Sequence, residues 1–106
     1  MLLFALSFVF ALNAPFSYVQ LLASEEQAVY RLHHLTPNRS LVVRVDGDGK
    51  GDIDCYIIDP KGKIVAKDET NKDSCEIAAV PQSRDMTVWI VQHGEASVDY
   101  TVEVKQ

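Results

Sequence analysis

Ile53-Asp54-Cys55-Tyr56-Ile57-Ile58-Asp59-Pro60-Lys61-Gly62-Lys63-Ile64-Val65-Ala66-Lys67 is the stretch that decides the fold. Ile53, Cys55 and Ile57 alternate with Asp54, Tyr56 and Ile58, the period of a strand whose two faces see different surroundings. Asp59-Pro60-Lys61-Gly62 then carries the chemistry of a tight turn. The aspartate can accept bonds from amides ahead of it, proline presets the second position, and glycine suits the fourth of a type I turn. Lys63 to Lys67 reads as the return strand, so the stretch predicts a β-hairpin.

The same period extends on both sides. Towards the N-terminus, Leu41, Val43 and Val45 alternate with Val42 and Arg44, and Ala28, Tyr30 and Leu32 alternate with Val29, Arg31 and His33. A break at Thr36-Pro37-Asn38 and a Gly- and Asp-rich loop from Asp46 to Gly51 separate these runs. Towards the C-terminus, a polar loop from Asp68 to Asp73 precedes Cys75, Ile77 and Ala79. Thr87 to Gln92 forms a β-branched and aromatic run around Trp89. After the turn at His93-Gly94-Glu95, Val98, Tyr100, Val102 and Val104 share one face. Seven short strands with turn signals between them predict an all-β sandwich or barrel. No segment after residue 24 has helical periodicity.

The first two dozen residues are different in kind. Met1 to Leu12 is an apolar run broken only by Ser7, and no charged side chain appears before Glu25. A run of about a dozen residues is short for a bilayer span and fits the core of a secretory signal peptide. The division expected is a signal peptide or hydrophobic N-terminal segment over residues 1–23 and a domain over 24–106. An uncleaved membrane anchor and a buried core segment are the other readings of the run. No basic residue follows Met1, and neither Ala14 nor Ala23 makes an ideal cleavage point.

A domain of about 80 residues buries a modest core and often needs a cross-link. The chain has two cysteines, Cys55 and Cys75. In an oxidising compartment they read as one disulfide, closing a loop of about 20 residues and worth roughly 3 kcal/mol. Cys55 is in phase with Ile53 and Ile57, and Cys75 with Ile77, so the bond would run through the interior. Two buried free thiols are the competing reading. The net charge of −5 leaves no basic stripe for nucleic acid or an anionic membrane surface.

Asp46-Gly47-Asp48-Gly49-Lys50-Gly51-Asp52-Ile53-Asp54-Cys55-Tyr56, followed by the turn ending at Gly62, resembles the bacterial pre-peptidase C-terminal domain. That family carries a Gly-rich turn, then Asp-x-Asp-Leu-Tyr-Val. Asp52, Asp54 and Tyr56 match it, with Cys55 in place of the usual leucine. Val88 to Gly94 and Ser97 to Val102 are similar to the family's last hairpin, and Val29-Tyr30-Arg31-Leu32 to its first strand. Arg84-Asp85-Met86 departs from the Gly-x-Tyr common there. The resemblance implies a jelly-roll-like antiparallel β-sandwich of about seven to eight strands, appended to secreted proteases and other exported enzymes. It brings no catalytic residues, and some relatives bind calcium.

The acidic turn is the candidate metal site. Asp46, Asp48, Asp52 and Asp54 lie within nine residues, and hard oxygen donors on a flexible turn suit Ca²⁺. The string overlaps an EF-hand loop but fails it, because Lys50 replaces a ligand and Ile57 stands where a bidentate glutamate belongs. A solvated turn whose aspartates bond to backbone amides is the competing reading. Tyr56 and Trp89 are the candidate binding surface, with a core tryptophan as the alternative. His33 and His34 point to opposite faces of a strand, and His93 is remote, so no transition-metal cluster is expected. Ser40, Ser74, Ser83 and Ser97 lack a nucleophile context.

The function expected is therefore a non-catalytic, secreted or periplasmic accessory module. It requires no cofactor, with Ca²⁺ as the one candidate, and presents a sheet surface to an extracytoplasmic protein or polysaccharide. A Ca²⁺-stabilised structural domain and a trans-acting inhibitor of a secreted protease are the alternatives.

Overall fold

The computed structural model describes the backbone of residues 5–11, 16–22, 27–94 and 98–106, and side chains from Gln27 onward within those ranges. The strands are β1 (Ala5–Ala11), β2 (Phe16–Leu22), β3 (Gln27–His33), β4 (Leu41–Asp46), β5 (Ile53–Ile58), β6 (Ile64–Asp68), β7 (Ser74–Ala79), β8 (Met86–Gln92) and β9 (Val98–Lys105). They form two sheets, ordered β1-β3-β8-β5-β6 and β2-β9-β4-β7. The seven strands from β3 onward pair antiparallel throughout, as the hairpin signals require. Strand β1 runs parallel to β3, and β2 antiparallel to β9. The expected cleavage within residues 1–23 falls on a segment whose side chains lie outside the described residues.

Alternation sets the core. Ala28, Tyr30 and Leu32 of β3, Val43 and Val45 of β4, Ile53, Cys55 and Ile57 of β5, and Val98, Tyr100, Val102 and Val104 of β9 are all buried between the sheets. Their neighbours in sequence point outward, as the period of two demands. Two polar tips are carried into this interior. The Tyr30 and Tyr100 hydroxyls hydrogen-bond to each other across the sandwich, which satisfies both without water.

Cys55 of β5 and Cys75 of β7 are bonded, with Cα atoms 6.3 Å apart. The bond ties one sheet to the other, as the strand phases anticipate. The β5–β6 turn also folds as its residues dictate. Gly62 donates its amide to the Asp59 carbonyl at 3.0 Å, and Asp59 Oδ1 accepts the Lys61 and Lys63 amides, each at 2.9 Å. A register shift at Ile57/Ile58 leaves Val65 as the extra residue of a bulge on β6, which sharpens the local twist.

Candidate functional site

The four aspartates of the turn do not converge. Asp46 ends β4 and pairs with Arg44 at 3.0 Å. Asp48 accepts the Lys50 amide through Oδ1 at 3.1 Å and the Asp99 amide through Oδ2 at 3.2 Å. Asp54 lies on β5 with its side chain on the face opposite to the core, where Oδ2 meets His93 Nε2 at 2.8 Å. Burial pushes the Asp54 carboxyl up from its ordinary value, against the opposing pull of His93. Asp52 has one buried oxygen, Oδ1, with no hydrogen-bond partner among the described residues.

The residue that organises the turn is Asp73, from the β6–β7 connection. Its Oδ1 accepts the Gly51 amide at 2.8 Å and its Oδ2 accepts the Gly49 amide. Its backbone carbonyl accepts the Gly47 amide at 2.9 Å. A Cβ on Gly47 would lie 2.3 Å from the Asp73 carboxylate, and one on Gly51 would lie 2.8 Å from it. Gly47 is glycine because the carboxylate sits where a side chain would be, and Gly51 because the Val98 side chain and the carboxylate both do. Gln92, fully buried, completes the arrangement by accepting the Asp52 amide at 3.1 Å and the Gly94 amide at 2.7 Å. The sequence offers a signal for Gln92, a polar residue in phase with inward Val88 and Ile90. It offers none for Asp73, one acid in a polar loop.

Ca²⁺ takes six to eight oxygens, and four of the eight carboxylate oxygens of Asp46, Asp48, Asp52 and Asp54 bind amides or basic side chains. Among the described residues no three His, Cys, Asp or Glu side chains group together. We expect the thermal midpoint to agree within about 1 °C between EDTA and excess CaCl₂, since a ligand of the native state alone must raise it. A calcium-dependent rise in a melting scan would show that a cage forms on binding.

Tyr56 and Trp89 do come together. They are cross-strand partners on β5 and β8, with ring centroids 4.9 Å apart and planes tilted by 33°. Trp89 is partly exposed, flanked in sequence by fully buried Val88 and Ile90. It therefore lies on the outer face of the sheet and not in the core. Its indole Nε1 donates to Gln27 Oε1 at 2.7 Å. Tyr56 is only 8% exposed, and its hydroxyl donates to Glu69 Oε2 at 2.7 Å. Burial and the Glu69 bond push the phenol well above its ordinary value. Lys67 Nζ, 2.9 Å from Glu69 Oε1, and the Tyr56 hydroxyl hold that carboxyl below its ordinary value. Tyr56 is thus the buried ring of the pair, and Trp89 the more exposed one. His33 is engaged by Asp85 at 2.7 Å, away from His93.

No family model matches the chain, and no curated protein does. Solved structures do match in fold. A periplasmic inhibitor of g-type lysozyme, PliG from Aeromonas hydrophila, superposes with a TM-score of 0.67 at 9% identity, covering 98% of each chain. The pre-peptidase C-terminal domain of a Bacillus anthracis collagenase gives 0.67 at 12% identity over 93% of this chain and 94% of that one. The Yersinia pseudotuberculosis-derived mitogen gives 0.59 at 9% identity over 87% and 85%. The chain shares the fold of the pre-peptidase C-terminal domain, as its Asp-x-Asp-x-Tyr hairpin implies. The same sandwich carries an inhibitor, an enzyme-linked domain and a mitogen, so function has to be argued from the surface.

Proposed function

We propose that this chain is a non-catalytic module that works outside the cytoplasm and docks on an exported protein, an enzyme above all. The outer face of the β3-β8-β5-β6 sheet makes the contact. The observation that carries this reading is the fixed Trp89 ring, which is partly exposed and braced by Tyr56 beneath it and Gln27 at its edge. A large aromatic whose rotamer is already set loses little entropy on binding, and such residues dominate protein interfaces. Around it stand Arg31, the His33–Asp85 pair and the Lys67–Glu69 pair, a mixed-charge rim suited to a protein surface. The likeness to lysozyme inhibitors and to a collagenase-linked domain supports an extracytoplasmic setting and a binding role. A disulfide is at home there as well.

Trp89 is the chain's one tryptophan, so its fluorescence reports the site directly. Titration with a panel of g-type lysozymes and secreted proteases should shift its emission for at least one enzyme and reduce that enzyme's activity. Trp89→Ala should weaken the complex about thirtyfold, the weight of one anchor residue. Silence across the panel would sink the reading. Quenching by glycan fragments in its place would move the partner to polysaccharide.

A further inference from the structure

Of the three exposed large apolar side chains among the described residues, Val65 and Val80 line one cleft and Ile64 adjoins Val65 on β6. Ile64 is 45% exposed, Val65 42% and Val80 53%. Ile64 and Val65 belong to β6, the outer strand of its sheet, hydrogen-bonded among the described strands to β5 alone. Val65 and Val80 line a cleft of about 460 Å³ together with Pro60, Pro81 and Met86. Exposed apolar surface of this kind is ordinarily scattered, and its concentration marks a contact region. An outer strand also offers unpaired amides and carbonyls that another extended segment can pair with.

Charge identifies the occupant. Lys61, Lys63 and Lys67 fall within seven residues of a chain whose net charge is −5. Lys67 is held by Glu69, but among the described residues neither Lys61 nor Lys63 has an ion pair. The nearby Asp59 carboxylate is engaged by their backbone amides. A second copy of this chain is a poor fit. Antiparallel pairing of two β6 strands about Val65 sets Lys63 opposite Lys67, and like charges across a ladder are destabilising.

We propose that β6 and the adjoining cleft dock an extended acidic segment of the partner protein. The segment adds a strand to the sheet edge, seats one aliphatic or aromatic side chain between Val65 and Val80, and lays carboxylates beside Lys61 and Lys63. This rests on the protein-partner reading above but uses the β6 edge and its cleft, without Trp89 itself, so the two can fail independently.

The probe is a short synthetic peptide that alternates glutamate with leucine or valine, compared with its lysine counterpart and with a backbone N-methylated version. With the intact chain, the acidic peptide should slow hydrogen exchange at β6 amides, and added salt should weaken its binding. Val80→Asp, at a half-exposed position, and the pair Lys61→Glu with Lys63→Glu should each weaken it about tenfold. Trp89→Ala should leave it unchanged while still disrupting docking of the whole enzyme. Equal binding of the lysine or N-methylated peptide, protection outside β6, no binding of any peptide, or indifference to Val80→Asp would each overturn the proposal. So would concentration-dependent dimerisation abolished by Val80→Asp, which would assign the edge to a second copy.

Discussion

Removing the Cys55–Cys75 bond should lower the stability of this domain by roughly 3 kcal/mol, whether by reductant or by the Cys55→Ala, Cys75→Ala pair. For a domain of this size that corresponds to roughly 15 °C in Tm. The bond spans 20 positions, and the enclosed chain includes the whole of β6 and the loop that supplies Asp73. Its removal enlarges the unfolded ensemble and frees β5 from β7 at the side of the sandwich where the outer strand β6 carries exposed apolar groups. Urea denaturation with and without reductant measures the loss. The double variant serves as the control, since reductant should not affect it further. A shift below about 1 kcal/mol would mean that inter-sheet packing alone holds that side together.

Asp73→Ala is the second large effect, expected at about 2–4 kcal/mol. Two amides, at Gly49 and Gly51, lose a charged acceptor together, and hydrogen bonds to charged groups are the costly ones to break. Alanine also leaves empty the space that Gly47 and Gly51 keep open for the carboxylate. Asp73→Asn should be intermediate, because one end of an amide accepts while the other presents N–H groups to a backbone donor. Asp46→Ala, which removes an exposed pair with Arg44, should stay within about 0.5 kcal/mol. Thermal melts of the three variants give the ranking, and exchange rates of the Gly49 and Gly51 amides locate the effect. An Asp73→Ala protein as stable as Asp46→Ala would refute the assigned role.

Cys55, Cys75 and the bond between them mark what is legible along the chain. Cys55 and Cys75 lie in phase with Ile57 and Ile77, and the phase alone directs both sulfurs inward. The turn at Asp59 to Gly62 follows from residues that bond within four positions of one another. Trp89, by contrast, has two buried neighbours, and its outward direction follows from the alternation only once the core face is known.

The acidic turn shows where linear reading stops. Asp54 stands two residues from Asp52, yet it belongs to β5 and extends toward His93, 39 positions away. The acid that closes the turn, Asp73, lies 22 and 24 positions from the amides it binds. Sheet order is equally absent from the periodicity, so nothing in Ile64 to Lys67 says that β6 is an outer strand beside a cleft. By itself the sequence determined an all-β sandwich or barrel, the inward faces of β3, β4, β5 and β9, the hairpin turn and an interior cysteine pair, because each depends on a residue's relation to its own strand. Tertiary structure alone decided which carboxylate meets which amide, which aromatic ring stays exposed and which strand edge is open, because those depend on how distant strands are brought together.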